Sequence, residues 1–207
     1  MLMTPARWLL TAAALCAAAA GFYLARQIDR GGPQLASGTW FPQAHAVGAF
    51  ELEDLSGHPF TQQDLAGTPT LVFFGFTHCP DVCPTTLVKL AQIRRQAALA
   101  QLRVLFVTVD PQRDTPQALA QYVHAFDPQF EGLTGEPAAI GALAKHFGVA
   151  VNRVELPGGD YTMDHSAVVF LLNAEAQVVA IFTPPFEVKS FVADLHTAAP
   201  YLQSSRH

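Results

Sequence analysis

Thr70-Leu-Val-Phe-Phe-Gly-Phe-Thr-His-Cys-Pro-Asp-Val-Cys-Pro84 joins an apolar run to a pair of cysteines four residues apart. Residues 70–76 read as a strand buried on both faces, and the chemistry begins where that strand ends. Cys79 and Cys83 are the only cysteines outside the hydrophobic N-terminus. A bridge across three intervening residues closes almost no chain entropy, so the pair is not a staple for the scaffold. It reads as a reactive or metal-binding dithiol. His165 stands ahead of a second apolar run, Ser166 to Leu172, and offers a third ligand. Two thiolates and an imidazole make a soft donor set that suits copper well and zinc acceptably.

The elements on either side follow from hydrophobic period and turn residues. Pro84 to about Gln101 carries Leu87, Leu90, Ala91, Ile93, Arg94 and Ala97 at helical spacing, which sets Cys83 in or near a first helical turn. Arg103 to Val109 is another buried strand, ending in Asp110-Pro111. Thr115-Pro116 then opens a helix over 117–126, with Thr as N-cap and Pro at the first helical position. Glu136-Pro137 starts a third helix that ends near Phe147-Gly148, with Gly148 as its cap. Val149 to Val154 alternates as a strand turned by Leu156-Pro-Gly-Gly159. Ser166–Leu172 and Val178–Phe182 form a hairpin across Asn173–Gln177, and Glu187 to about Ala199 closes the chain as a helix. Upstream, Phe50 to Leu55 is a short amphipathic strand before a turn at Ser56-Gly57-His58-Pro59. This order predicts an α/β layer architecture with an antiparallel hairpin at its end. The dithiol then falls at the carboxyl end of a central strand, the usual ligand edge of such sheets.

The ends differ from this body. Trp8 to Ala25 is an uncharged stretch of eighteen residues between Arg7 and Arg26. As a helix it would be roughly 27 Å long, enough to span a hydrocarbon core. It reads as a signal anchor, with a cleaved signal peptide as the alternative. Cys16 follows Leu15, where a lipoprotein signal normally carries a small residue, and reads as an apolar side chain inside the span. The division expected is an anchor over 1–26, a Gly-, Pro- and Ser-containing linker over 27–45, and one domain over 46–204. Net charge is −5 over 207 residues with no basic stripe, which argues against a nucleic-acid partner. A dithiol that cycles through a disulfide needs an oxidising space, so the soluble part is expected to face a bacterial periplasm from the inner membrane.

The neighbours of the dithiol have ordinary explanations beside functional ones. Within one helical turn the two cysteines share a face, with Cα atoms roughly 6 Å apart, so they can bridge or hold one metal. A helix N-terminus is expected to lower the thiol pKa. Asp81 is a hard carboxylate explained by the helix dipole, not a ligand. His78 adjoins Cys79, and adjacent strand residues point to opposite faces, so it is left out of the ligand set. Asp164 either orients the His165 ring or is a solvated turn residue. Asp110 and Arg113 either border the site, bind a partner, or simply build a turn. The histidines at 45, 58, 124, 146, 196 and 207 lack partners at metal-site spacing.

Four blocks in order carry a family resemblance. Gly75-Phe-Thr-His-Cys-Pro-Asp-Val-Cys-Pro84, Thr108-Val-Asp-Pro-Gln-Arg-Asp-Thr-Pro116, Gly132-Leu-Thr-Gly135 and Asp164-His165-Ser166 resemble the signatures of the Sco/SenC family of membrane-anchored copper proteins, over about Phe50 to Leu202. The resemblance implies a thioredoxin-like fold, a central mixed sheet flanked by helices, behind a transmembrane anchor. It implies one copper, Cu(I) or Cu(II), on Cys79, Cys83 and His165, and delivery of that copper to the dinuclear centre of a respiratory cytochrome oxidase. The implied partners are the copper-site subunit of the oxidase and a periplasmic copper carrier or thiol reductant. The alternative is a thiol–disulfide oxidoreductase in which Cys79 and Cys83 keep the oxidase cysteines reduced. Against it, thioredoxin-type enzymes place two residues between the cysteines and a proline before the facing strand, where this chain has Asp164-His165-Ser166. A thiol peroxidase or a zinc hydrolase fits less well, the latter for want of a placed base.

Overall fold

The computed structural model of the chain describes residues 15–22, 32–99 and 101–203. The chain divides into two units, residues 1–32 and 33–207. In the first, residues 15–22 are helical and exposed, Cys16 among them. Among the described residues no helix is long and apolar enough to cross a membrane. The rest of the span expected at 8–25, and the tail at 204–207, lie outside the described residues.

The second unit is built on a six-stranded mixed sheet. Its order is β1 (Thr39–Ala46), β10 (Gln177–Phe182), β9 (Val169–Leu172), β4 (Thr70–Gly75), β5 (Arg103–Thr108) and β6 (Glu131–Leu133). β4 and β5 run parallel, as do β5 and β6. The links between them carry helices α1 (Val82–Ala97) and α2 (Pro116–His124), as parallel pairing requires a crossover. β9 lies antiparallel to both β4 and β10. Two hairpins stand outside this sheet as separate two-stranded ladders, β2 (Glu51–Glu53) with β3 (Pro59–Thr61), and β7 (Val151–Glu155) with β8 (Tyr161–His165). Helices α3 (Pro137–His146) and α4 (Val188–Leu202) complete the unit.

Every residue of β4 is buried, which accounts for its unbroken apolar sequence. Alternation sends Phe73 to one face and Phe74 to the other. Phe73 meets Phe106 edge-on, and Phe74 meets Phe147 and Phe170 in the same way. Helix α1 buries Leu87, Leu90, Ala91 and Ile93 and packs against α4, which buries Phe191, Leu195 and Ala198. The cap at Thr115 is as expected, its hydroxyl accepting from Ala118 N at 3.2 Å, with Pro116 at the first helical position. Gly148 follows α3 with φ +68°, a left-handed value that suits glycine.

Three features differ from the sequence reading. Residues 39–46, expected as the end of a linker, form the edge strand β1, with Thr39 opposite Ile181 and Ala46 opposite Gln177. The Gly and Pro residues nearby mask Trp40 and Phe41, which pack onto the core, Trp40 edge-on to Tyr201. The strand expected over 166–172 is shorter, β9 at 169–172, because Ser166 stays with the β7–β8 hairpin, its N–H donating to Ala150 O at 3.3 Å, and the chain crosses from hairpin to sheet at 167–168. β6 is three residues long, too short to show a period.

Asp194 on α4 holds the start of β1. Its buried carboxylate accepts the backbone N–H of Ala36, Ser37 and Gly38 and the Ser37 hydroxyl, at 2.6 to 3.0 Å. Replacing Asp194 with Ala removes four acceptor contacts at once. The expected loss is about 2 kcal/mol or more, since bonds to charged groups are worth ~1.5–3 kcal/mol each and the freed amides can be rehydrated. Denaturant unfolding gives the loss, and hydrogen exchange should report faster exchange across β1 while β4 stays protected.

Candidate metal centre

The loop after β4 is shaped by close packing. Phe76 is buried, and its carbonyl accepts the Cys79 N–H at 3.3 Å. Helix α1 then begins at Val82, so Cys83 lies in its first turn. First-turn amides have no partner inside their own helix; that of Cys83 donates to the Cys79 sulfur at 3.4 Å. Gly75 is needed where it stands. A Cβ there would sit 2.9 Å from the Cys83 sulfur and 2.8 Å from the Phe106 ring, so any larger residue displaces one or both. Both cysteines are reduced, Cys83 fully buried and Cys79 half-buried.

His165 comes from the far side of the chain, as the last residue of β8. Its Nε2 lies 3.5 Å from the Cys83 sulfur, and its Nδ1 lies 3.3 Å from the Ser166 carbonyl. The neutral tautomer with its proton on Nδ1 satisfies that carbonyl and turns the Nε2 lone pair toward the sulfurs. Phe73 and Phe76 meet the ring edge-on at 6.2 and 5.9 Å. The two sulfurs and an imidazole nitrogen all lie within 4.8 Å of one another. Asp164 is exposed, so the ring is oriented by the Ser166 carbonyl rather than by that carboxylate.

Burial dominates the electrostatics. It pushes the Cys83 thiol up well beyond its ordinary range, with the neighbouring Cys79 adding to the rise and the Phe76 backbone opposing it. The expected lowering by the helix N-terminus is therefore reversed at Cys83, because desolvation of a fully buried thiolate outweighs a partial dipole charge. Burial also lowers the His165 pKa, against smaller opposing effects of the Ser166 carbonyl and Asp164. Both shifts favour the neutral groups, and a soft cation binds by displacing the thiol proton.

The residues of the second motif do not reach the sulfurs. Asp114, fully buried, accepts the Thr77 N–H at 3.0 Å, the Thr77 hydroxyl at 2.6 Å and the Thr108 hydroxyl at 2.6 Å. It ties the metal loop to the end of β5. Asp114 was not singled out in the sequence; the signal was a Thr at each strand end facing one acid in the following loop. Asp110 and Arg113 instead join that loop to Tyr161 on β8. His78 is exposed, its Nδ1 3.0 Å from the Thr77 hydroxyl, and stands outside the ligand cluster. Asp81 is exposed and also outside it. His45, His58, His124, His146 and His196 are exposed, and His207 lies outside the described residues.

A mixed sheet with a dithiol and a histidine converging at the carboxyl end of its central parallel strand defines a thioredoxin-like domain with a soft metal-type site. The SCO1/SenC family profile matches residues 41–199, and the chain belongs to that family. It is 38% identical over 152 residues to a SCO2-like protein of Rickettsia felis, covering 70% of this chain and 74% of that one. It is likewise 38% identical over 147 residues to the mitochondrial SCO1 homolog 1 of Arabidopsis thaliana, covering 69% of this chain but only 44% of that longer protein. Among solved structures, Bradyrhizobium japonicum ScoI with copper bound superposes with a TM-score of 0.67 at 39% identity, covering 73% of this chain and 98% of that one. Yeast Sco1 with copper bound gives 0.70 at 32% identity, covering 78% and 92%.

The difference in burial between the two cysteines predicts their reactivity. In the metal-free, reduced protein at pH 8, iodoacetamide should label Cys79 at least about tenfold faster than Cys83, because burial raises the Cys83 thiol pKa and closes access to it. Peptide mass mapping over time measures both rates. Equal rates would mean that Cys83 is not held in the buried position described.

Proposed function

We propose that this chain is a copper-binding assembly factor that takes up copper and delivers it to the dinuclear copper centre of a respiratory cytochrome oxidase. The observation that carries this reading is the convergence of Cys79, Cys83 and His165 within 4.8 Å. Copper is the cargo. Two sulfurs and one imidazole suit it by softness, and three protein donors leave the cation open to attack by a partner's ligands. The half-buried Cys79 and His165 give a partner access, while Cys83 forms the buried floor. The copper-bound structures of Bradyrhizobium ScoI and yeast Sco1 support the same reading. Partners of matching chemistry are the copper-site subunit of the oxidase and a periplasmic copper carrier or thiol reductant.

The oxidoreductase reading uses only the two sulfurs and leaves no role for an imidazole nitrogen held 3.5 Å from Cys83. The purified protein should retain one copper per chain after anaerobic loading with Cu(I), and Cu(II) should give a sulfur-to-copper charge-transfer band. Cys79→Ser or Cys83→Ser should abolish the band. His165→Ala should weaken retention while leaving the thiols able to oxidise and be reduced. Undiminished copper in the double cysteine variant would put the site elsewhere. Full oxidase activity from His165→Ala in copper-limited cells, with none from Cys79→Ser, would favour the oxidoreductase.

The proposed arrangement in the cell is a single-pass anchor within residues 1–26 in a bacterial inner membrane, with the copper domain facing the periplasm. The uncharged run from Trp8 to Ala25 supports it. Hydrophobic insertion is insensitive to salt, so the protein should stay with membranes through a high-salt or carbonate wash. A soluble periplasmic form whose sequence starts after about residue 20 would establish a cleaved signal instead.

A further inference from the structure

His165 rides on a hairpin that shares no ladder with the main sheet, yet its nitrogen must meet a sulfur on α1. Next to His165 the hairpin is closed on itself one step beyond the Val151–His165 pair, Ser166 N–H donating to Ala150 O at 3.3 Å and Ala150 N–H to the Ser166 hydroxyl at 3.4 Å. It meets the loop after β5 at Tyr161, at the start of β8, and at Arg153 on β7, whose Nη1 donates to Gln112 Oε1 at 3.3 Å and whose guanidinium lies 3.7 Å from the Tyr161 ring centre. Tyr161, Met163 and His165 share one face of that strand by alternation.

Arg113 meets that face. Its Nη1 donates to the Tyr161 carbonyl at 3.0 Å, and its guanidinium lies 3.8 Å from the centre of the Tyr161 ring. The same guanidinium lies 5.9 Å from the Phe76 ring, whose edge packs on His165. Nε pairs with the buried Asp110, whose other oxygen accepts the Tyr161 hydroxyl at 2.8 Å. A weaker contact runs from Nη1 to Asp160 at 3.5 Å. Nη2 is buried with no hydrogen-bond partner among the described residues. A largely buried ion pair with an orphaned donor is a poor stabiliser of a fold, whereas its use in fixing register is well founded.

We propose that Arg113 is a positioning residue for His165. Its planar fork binds Tyr161 on the hairpin and lies over the Phe76 ring of the loop after β4 at cation–π distance, and so sets where the imidazole stands relative to Cys83. Lysine could keep the charge opposite Asp110 but not the fork and the stacking together.

The test uses the full chain in detergent. Arg113→Met keeps the apolar stem and removes the donors. It should lower copper affinity by about tenfold, the low end of what loss of a ligand-orienting partner costs. The histidine-nitrogen coupling in the Cu(II) EPR spectrum should weaken while the sulfur-to-copper band persists. Because the effect passes through His165, Arg113→Met should cost nothing further in a His165→Ala background. Wild-type affinity for Arg113→Met, or an additive loss in the double variant, would overturn the proposal. Should Arg113→Met fail to fold, Arg113→Lys carries the same cycle, with a loss of at least threefold expected and wild-type affinity overturning it. The affinity arm rests on the copper reading; a second arm needs no metal. In the metal-free protein, hydrogen exchange over residues 151–166 should quicken in Arg113→Met while α1 and β4 keep their protection. Unchanged exchange over 151–166 would overturn the proposal, whereas absence of copper binding in the wild type would overturn only the functional reading.

Discussion

The site depends on one fully buried carboxylate. Asp114 sits in the loop after β5, and with no solvent to share its charge it requires donors from the protein. Those donors are the amide and hydroxyl of Thr77 and the hydroxyl of Thr108. Thr77 is the second residue beyond β4 and two before Cys79, so satisfying Asp114 fixes the path by which the chain leaves the sheet. The loop cannot relax without leaving buried carboxylate oxygens short of donors, which costs more than losing an exposed hydrogen bond. Thr134, just beyond β6, adds a bond from its hydroxyl to the Asp114 carbonyl. The ends of three parallel strands are thereby tied to one short loop.

From that fixed loop the ligand arrangement follows in steps of close packing. Gly75 leaves room for the Cys83 sulfur against β4, and the Cys79 sulfur takes up the Cys83 amide. Phe73 and Phe76 then form an apolar wall against which the His165 ring stands. An apolar wall does two things here. It raises the cost of a thiolate or an imidazolium without a counter-charge, and it leaves a soft monovalent or divalent cation as the group that relieves that cost. The same burial that makes Cys83 a sluggish free thiol would favour it as a ligand to such a cation.

What was legible in the sequence was whatever repeats or punctuates. β4 and β5 announced themselves by unbroken apolar runs, α2 by Thr115-Pro116, and α3 by its terminal Gly148. The dithiol was legible because only two cysteines lie in the domain, and His165 was legible through the resemblance of its Asp-His-Ser block. The pairings that close the structure were not. β8 reads Tyr-Thr-Met-Asp-His, an alternation only five residues long with His at its end, and it is a strand because β7 pairs with it. β1 was hidden in a linker-like composition, since its hold on the domain comes from partners remote in sequence, the β10 ladder and, just before the strand, the Asp194 carboxylate. The shift at Cys83 was misread because position in a first helical turn is visible in sequence, whereas full burial is a property of the fold.

The two sources of ligands also differ in how firmly they are held. The cysteines stand on a loop and helix bound to the sheet and clamped by Asp114. His165 stands on a two-stranded hairpin that is, on its own, a marginal structure in water. A site for cargo has opposing needs, since it must hold the ion in transit and release it to a competing set of ligands. Rigid placement of all three donors would favour holding, and full mobility would forfeit it. Dividing the donors between a rigid element and a separately fastened one meets both needs. In the proposed copper-carrying role Cys79 and Cys83 would supply the fixed donors, and His165, its ring oriented by the Ser166 carbonyl, would supply the donor on the separately fastened element. Under that proposal the strength of the hairpin's fastening would set the balance between retention and transfer, and that fastening rests on a few side chains, Arg113 and Tyr161 among them.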